Sequence, residues 1–248
     1  MCELFAMSAG QNYTAQEYLP LFADKGRDNL SGWGIGFFRE GQAHIERSCE
    51  GVITGDQIIH DSFQRLARVI DSRIILSHLR CPKSGHAKES QAQPFADRFL
   101  DHQWLFIFAG ESPKLAAYQS PRRLMPEPLA AARVFEFIRD GMEAQLALWP
   151  SQSLYQALAM SCRKLIDDFP GQYCFFLANE TVLFAFFNHS QVLLYRYPEV
   201  LGEMLLLTTI PGGLTHDPAR WQGFTNRDQT RGQLLIVSGP DLLYLGHL

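Results

Sequence analysis

The spacing of apolar positions in the first 110 residues predicts short strands and two helices. Residues 2–9 form an apolar run that ends in small side chains, as expected for a buried strand. Residues 56–70 carry apolar side chains at positions i, i+4, i+7 and i+11, which predicts a helix with one buried face. The other elements predicted in this half are a helix over 15–22 and strands over 32–38, 44–48, 73–79 and 104–108.

The pattern changes in the second half from long helical stretches to closely spaced strands. Helices are predicted over 128–142 and 153–169, and Pro170 and Gly171 end the second one. Strands are then predicted over 172–178, 181–188, 191–197, 204–209, 233–237 and 242–245, the first three being separated by two-residue turns. No repeat or linker divides residues 1–248, so we expect a single domain. Strands, then two helices, then strands predict an α+β fold in which helices cover antiparallel sheets.

Charge and apolar content argue against two classes of partner. Lys plus Arg number 22 and Asp plus Glu number 26, a net charge of −4 without a basic cluster, which disfavours nucleic acid. The aromatic residues between 173 and 187 alternate at strand spacing, which indicates core packing rather than base stacking. No apolar run approaches the about 20 residues of a membrane span, and the N-terminus has no basic start followed by an apolar stretch. We therefore expect neither a membrane partner nor a secretion signal.

The five cysteines are scattered and show neither a CxxC pair nor a metal-ligand spacing. This usage is typical of thiols in a reducing cytoplasm, and we expect no metal. Cys2 stands directly behind Met1. Removal of Met1 would leave a residue with a nucleophilic thiol and an α-amine that titrates near neutrality. The other interpretation is that Cys2 only begins a buried strand.

Four segments in order carry a resemblance to a known family: Met1-Cys2-Glu3-Leu4, Gly32-Trp33-Gly34-Ile35, Ser77-His78-Leu79-Arg80, and Gln93-Pro94-Phe95 followed by 104–110. The series resembles the class II glutamine amidotransferases, most closely their small stand-alone bacterial members. These are similar to the amidohydrolases of ergothioneine synthesis and glutathione breakdown. The resemblance implies an N-terminal-nucleophile (Ntn) hydrolase fold, a four-layer αββα sandwich of two antiparallel sheets.

The resemblance also implies roles for five residues. Cys2 would be the nucleophile and would lie on a central strand, and Gly110 would offer its backbone N–H to the oxyanion. Arg80 would bind the substrate carboxylate, because its rigid fork forms two parallel hydrogen bonds with a carboxylate. Trp33 and His78 would support the site, and a satisfied core histidine suits His78 better than proton transfer. The chemistry needs no metal or organic cofactor.

The sequence departs from the family pattern at several positions. The family's His-Asn-Gly triplet is replaced by Phe108-Ala109-Gly110, so the Asn side-chain donor is missing. The aspartate that holds the substrate α-amine falls on Ala130 in the best placement, with Glu127 as a nearby substitute. The threonine that usually follows the arginine is replaced at Lys83. These losses suggest a ligand whose amine is absent or capped, or a chain that has lost catalysis.

Three functions therefore stay open after the sequence is considered. The first is cysteine-dependent hydrolysis of glutamine or a γ-glutamyl-type amide. The second is a non-catalytic protein that binds a carboxylate ligand or a partner peptide in the inherited cleft. The third is an amidotransferase subunit that passes ammonia to a separate synthase partner.

The irregular stretch 211–231 is interpreted as a solvated surface loop, a lid or an ordered edge.

Overall fold

The computed structural model describes residues 2–26, 31–81, 88–127, 129–197, 203–215, 217–226 and 231–248. These residues form 13 strands, four α-helices and short 3-10 turns. The helices are α1 (Tyr18–Lys25), α2 (Asp61–Val69), α3 (Ala130–Leu148) and α4 (Leu154–Asp168). The strands are β1 (Glu3–Thr14), β2 (Trp33–Arg39), β3 (Gln42–Ser48), β4 (Asp71–Leu79), β5 (Phe95–Phe99), β6 (His102–Glu111), β7 (Gln172–Ala178), β8 (Leu183–Phe187), β9 (Val192–Arg196), β10 (Met204–Thr208), β11 (Trp221–Phe224), β12 (Gln233–Ser238) and β13 (Asp241–His247).

The strands form two sheets whose neighbouring strands are antiparallel. The first sheet has seven strands in the order β11-β9-β10-β1-β4-β2-β3. The second sheet has six strands in the order β13-β12-β8-β7-β6-β5. β1 is the central strand of the first sheet. Cys2, which directly precedes β1, therefore lies at the end of the middle strand of this sheet.

Alternation of side chains along β1 shows how the layers stack. Leu4 and Ala6 pack into a core between the two sheets, together with Ile107 of β6. Phe5 and Met7 point to the opposite face and pack with residues of α1 and α2. A third core joins the outer face of the second sheet to α3 and α4. The predicted α+β fold, a four-layer αββα sandwich, is therefore confirmed.

Most predicted elements are present, and the differences have local causes. α2 begins at Asp61, not at residue 56, because the His60 side chain accepts the backbone N–H of Ser62 and caps the helix there. Ile59, which fits the helical spacing, instead forms an isolated bridge with Ile53. β5 was not predicted as a strand. In the third helix Pro128 lies outside the described residues, and the helix runs six residues beyond the predicted end at 142.

The stretch 211–231 is in part an ordered sheet edge. β11 pairs with β9 at the edge of the first sheet, and Trp221 and Phe224 are buried. The four-residue strand escaped prediction because only its two end residues are apolar and buried, too few to show a period of two.

Candidate functional site

A cavity of about 190 Å³ opens where the ends of β1, β4 and β6 meet the start of α3. It brings together Cys2, Arg80, His78 and Gly110, four of the five residues that the sequence singled out. One wall is apolar and consists of Phe108, Ala109, Leu129, Ala130 and Ala131. Cys81, Gln91 and Gln93 complete the lining.

Cys2 reaches the cavity because of the pairing of β1 with β4. The register pairs Glu3 with Leu79 and Leu4 with His78, and its extension by one residue sets Cys2 opposite Arg80. The half-buried Cys2 Sγ accepts the backbone N–H of Cys81 at 3.3 Å. Burial raises the pKa of the Cys2 thiol, while the Cys81 N–H and the Arg80 charge act in the opposite direction. A base is therefore needed to form the thiolate near neutral pH.

Arg80 follows directly after β4, and its backbone is fixed by the segment that precedes β2. Its N–H donates to the carbonyl of Gly32 at 2.9 Å, and its carbonyl accepts the hydroxyl of Ser31 at 3.3 Å. Its side-chain atom Nη1 is buried and has no hydrogen-bond partner among the described residues. Because a buried donor without a partner is costly, this atom is suited to meet an anionic ligand.

His78 is buried beside Arg80 and is neutral at physiological pH. Burial lowers its pKa to about 3, and the neighbouring Arg80 charge acts in the same direction. Its Nε2 lies 3.3 Å from Nε2 of Gln93. A histidine with so low a pKa is a poor general acid or base near pH 7, so the geometry favours the supporting role that the sequence suggested.

Trp33, also expected to support the site, does not line the cavity. It packs on the helix side of the first sheet, with its ring edge-to-face to Phe63 at 5.2 Å. Its Nε1 has no hydrogen-bond partner among the described residues. Trp33 pairs with Leu79 across β2 and β4, next to the strand end that leads to Arg80.

Gln93 connects the two sheets at the site, a role that the sequence did not reveal. Its side chain accepts the N–H of Phe108 at 2.6 Å and donates to the carbonyl of Phe108 at 3.1 Å. The backbone carbonyl of Gln93 also lies against Gly34, where a Cβ would come within 2.0 Å of it. The ordered segments Gly32-Trp33-Gly34 and Gln93-Pro94-Phe95 thus belong to one contact. The presence of both segments in the sequence was the signal from which this contact could have been inferred.

Strand alternation directs the N–H of Gly110 away from β7. Phe108 turns its N–H and carbonyl to Gln93, and in an antiparallel strand the residue two positions on faces the same side. Tyr173, the cross-strand neighbour of Gly110, accordingly bonds to Asn188 on its other side. Gly110 cannot be replaced easily, because a Cβ there would lie 2.1 Å from the carbonyl of Gln172.

The expected departures from the family also gather at the cavity. Ala109 and Ala130 both line it, at the positions where an amide donor and an acid were expected. Glu127 does not line it, and its carboxylate lies 3.6 Å from the Lys88 ammonium. Lys83 lies outside the described residues. In the described parts of the chain, no group of three His, Cys, Asp or Glu residues is arranged to hold a metal ion. None of the described helices is both long and apolar enough to cross a membrane.

Comparisons with known proteins agree with this architecture. A crystal structure of a predicted glutamine amidotransferase from Pseudomonas aeruginosa is 15% identical with a TM-score of 0.63, over 98% of this chain and 100% of that chain. A glutamine aminotransferase class-II domain protein from Silicibacter pomeroyi is 14% identical with a TM-score of 0.63, over 99% of both chains. At these identities the likeness shows the fold alone.

The same fold occurs inside a larger enzyme. The glutamine phosphoribosylpyrophosphate amidotransferase of B. subtilis is 11% identical with a TM-score of 0.65, over 99% of this chain and 49% of that one. This chain therefore spans about half the length of that enzyme. A search of curated proteins found no match. The family model described as class II glutamine amidotransferases matches residues 1–203, most of the chain. The chain thus belongs to the class II glutamine amidotransferases.

Proposed function

We propose that this protein is a cysteine-dependent amidohydrolase that cleaves glutamine or a γ-glutamyl-type amide. The observation that carries the proposal is the presence of Cys2 and Arg80 in one cavity, each directly beside the end of one of two adjacent strands of the first sheet. The first supplies a nucleophile and the second a charged fork for a carboxylate. We further propose that the reaction takes place in the cytoplasm and that residues 1–248 act as one domain.

The proposed reaction begins with the thiol of Cys2 after Met1 has been removed. The free α-amine of Cys2 takes the thiol proton, and the sulfur attacks the amide carbonyl. The N–H of Gly110 stabilises the oxyanion, and Arg80 holds the substrate carboxylate. The carbon–nitrogen bond then breaks, and the α-amine returns the proton to the departing ammonia. Water attacks the thioester and restores Cys2.

The neutral His78 takes no part in proton transfer in this scheme. Together with Gln93 it ties β4 to β6, and so it positions the strand that carries Gly110. Ala109 removes one oxyanion donor relative to the family pattern, which typically lowers turnover by about 10²- to 10³-fold. We therefore expect a slow enzyme.

The test is ammonia release by purified protein whose loss of Met1 has been verified by intact mass. Cys2→Ala should abolish release and also labelling by a thiol-reactive glutamine analogue. Cys49→Ala is the matched control, because Cys49 is exposed and does not line the cavity. Labelling that persists in Cys2→Ala would contradict the assignment of the nucleophile.

A second candidate is a non-catalytic protein that binds a carboxylate ligand in the same cavity. The replacement of two expected polar groups by Ala109 and Ala130, both in the cavity wall, favours it. Retained Met1 with thermal stabilisation by γ-glutamyl compounds would support this candidate over the enzyme. A separate synthase that receives ammonia is a further partner consistent with the family, and copurification with a protein of that class would support it.

A further inference from the structure

The charges around the cavity are unlike those that an amino acid needs. An α-amino acid presents a carboxylate and an ammonium side by side, and a desolvated ammonium requires an anionic partner. Arg80 supplies the positive group for the carboxylate. The described lining contains no aspartate or glutamate, and the segment 82–87 that follows Arg80 and Cys81 in sequence contains none either.

The start of α3 adds a second positive feature. Ala130 is the first residue of this 19-residue helix, and Leu129 before it provides no side-chain cap. The first turn contains no acidic residue, and the N–H groups of this turn have no intrahelical acceptors. The positive end of the helix dipole therefore lies at the cavity wall made by Leu129, Ala130 and Ala131. An ammonium is repelled there, whereas a carbonyl oxygen is attracted.

The nearby carboxylate of Glu127 does not compensate for this field. It lies outside the cavity lining and beside the Lys88 ammonium at 3.6 Å. The cavity itself is small, about 190 Å³, against roughly 300–1,000 Å³ for pockets of drug-sized ligands. A ligand of few heavy atoms, with a carboxylate at one end, fits these limits.

We propose that the substrate is a small ω-amide of a dicarboxylic acid whose C2 atom carries hydrogen or an uncharged acceptor, such as an acylamino group, and no free ammonium. This inference rests on the proposed hydrolysis and specifies its substrate. Arg80 binds the free carboxylate, and the start of α3 faces C2. The terminal carbon–nitrogen bond is replaced by a carbon–oxygen bond from water, and ammonia leaves with a proton.

The experiment compares three amides: glutaramate, which is glutamine without its amine, N-acetyl-L-glutamine, and L-glutamine. Their kcat/KM values are measured by ammonia release with protein that has lost Met1. An apolar pocket discriminates against an added polar group by about 100-fold, so glutaramate should exceed glutamine by on the order of 100-fold. Glutamine cleaved as efficiently as glutaramate, or more so, would overturn the inference.

Two variants test the cause of the discrimination. Ala130→Asp places an acid at the first helical position, where the dipole tolerates it, and should reduce the preference for glutaramate at least about tenfold. Glu127→Gln is the matched control and should leave the ratio unchanged, since its carboxylate faces Lys88. A ratio that rises in Glu127→Gln would show that this acid holds the ammonium of glutamine and would overturn the inference.

Binding separates a failure of this inference from a failure of the proposed hydrolysis. Titration calorimetry of Cys2→Ala with glutaramate and with glutamine needs no turnover. If none of the three amides releases ammonia, hydrolysis is refuted, and tighter binding of glutaramate still upholds the ligand class. Equal or tighter binding of glutamine contradicts the ligand class whether or not ammonia is released.

Discussion

Replacing Gly34 by alanine is expected to destabilise the protein and to disturb the cavity from a distance. Gly34 lies in β2 opposite His78, and its α-carbon faces the connection before β5. A Cβ built there would lie 2.0 Å from the carbonyl oxygen of Gln93, 2.9 Å from its carbonyl carbon and 3.0 Å from Cδ of Pro94. Backbone atoms cannot rotate away as a side chain does. The segment must therefore shift by about 1 Å to restore ordinary contact.

The magnitude follows from two separate costs. Overpacking of a close backbone contact costs about 1–3 kcal/mol. The shift also strains the two hydrogen bonds of the Gln93 side chain with Phe108, and a buried amide left without partners costs about 1–3 kcal/mol. A loss of about 2–4 kcal/mol lowers the melting temperature of a chain of this size by about 5–15 °C.

Gly55→Ala is the matched control, because a Cβ there meets nothing within 4 Å. This variant should be neutral or more stable by up to about 1 kcal/mol, since alanine reduces the entropy of the unfolded chain. Scanning calorimetry of the three proteins measures the difference. If the melting temperatures of Gly34→Ala and Gly55→Ala agree within about 2 °C, the packing argument is refuted.

Three further predictions concern the thiol, its support and the second helix layer. The rate of alkylation of Cys2 by iodoacetamide is measured against pH, and the rate that remains in Cys2→Ala is subtracted. The midpoint of the pH profile should lie above the ordinary range for cysteine, because burial raises the pKa of this thiol. A midpoint below that range would contradict the prediction. Gln93→Ala should lower the free energy of unfolding in urea by about 1–3 kcal/mol, because it leaves the N–H of Phe108 without its acceptor. Unchanged stability would show that this hydrogen bond does not stabilise the fold. Glu136→Ala should lower the free energy of unfolding by about 3–5 kcal/mol in the same assay, because it leaves the buried Arg133 guanidinium without the carboxylate that lies 2.5 Å from it in the native protein. A loss below about 1 kcal/mol would refute this prediction.

The α+β class could be predicted because apolar runs mark most strands, whereas the stacking of two sheets was implied by the resemblance to the family. Phe175 and Phe176 are both fully buried, one toward the helices and one between the sheets, so this strand reads as apolar on both faces. β11 could not be predicted, because burial of its edge depends on β9, which is distant in sequence. The start of α2 was also missed, since the cap at His60 is a side-chain contact that periodicity does not record.

The site divides in the same way between residues whose roles the motifs indicated and residues whose roles only the geometry reveals. Cys2, His78, Arg80 and Gly110 were found because they stand in ordered motifs, and the structure gathers them in one cavity. Gln93 and Cys81 act through a carboxamide and a backbone N–H, and nothing in the residue types themselves announces those bonds. Trp33 stood in a motif but serves the core.

The register of β1 determines where Cys2 lies, independently of which ligand the cavity binds. Leu4 and Ala6 face the second sheet, and Phe5 and Met7 face the helices. A shift of β1 by one residue relative to its neighbouring strands would turn each of these side chains to the opposite face of the sheet. This packing alone fixes Cys2 opposite the end of β4, whatever the ligand. Ala130 is less constrained, because it is only partly buried and packs at the margin of the core beside α3, where it also lines the cavity. The core therefore fixes the place of the proposed nucleophile, whereas the proposed ligand class depends on a wall residue at the margin of the core.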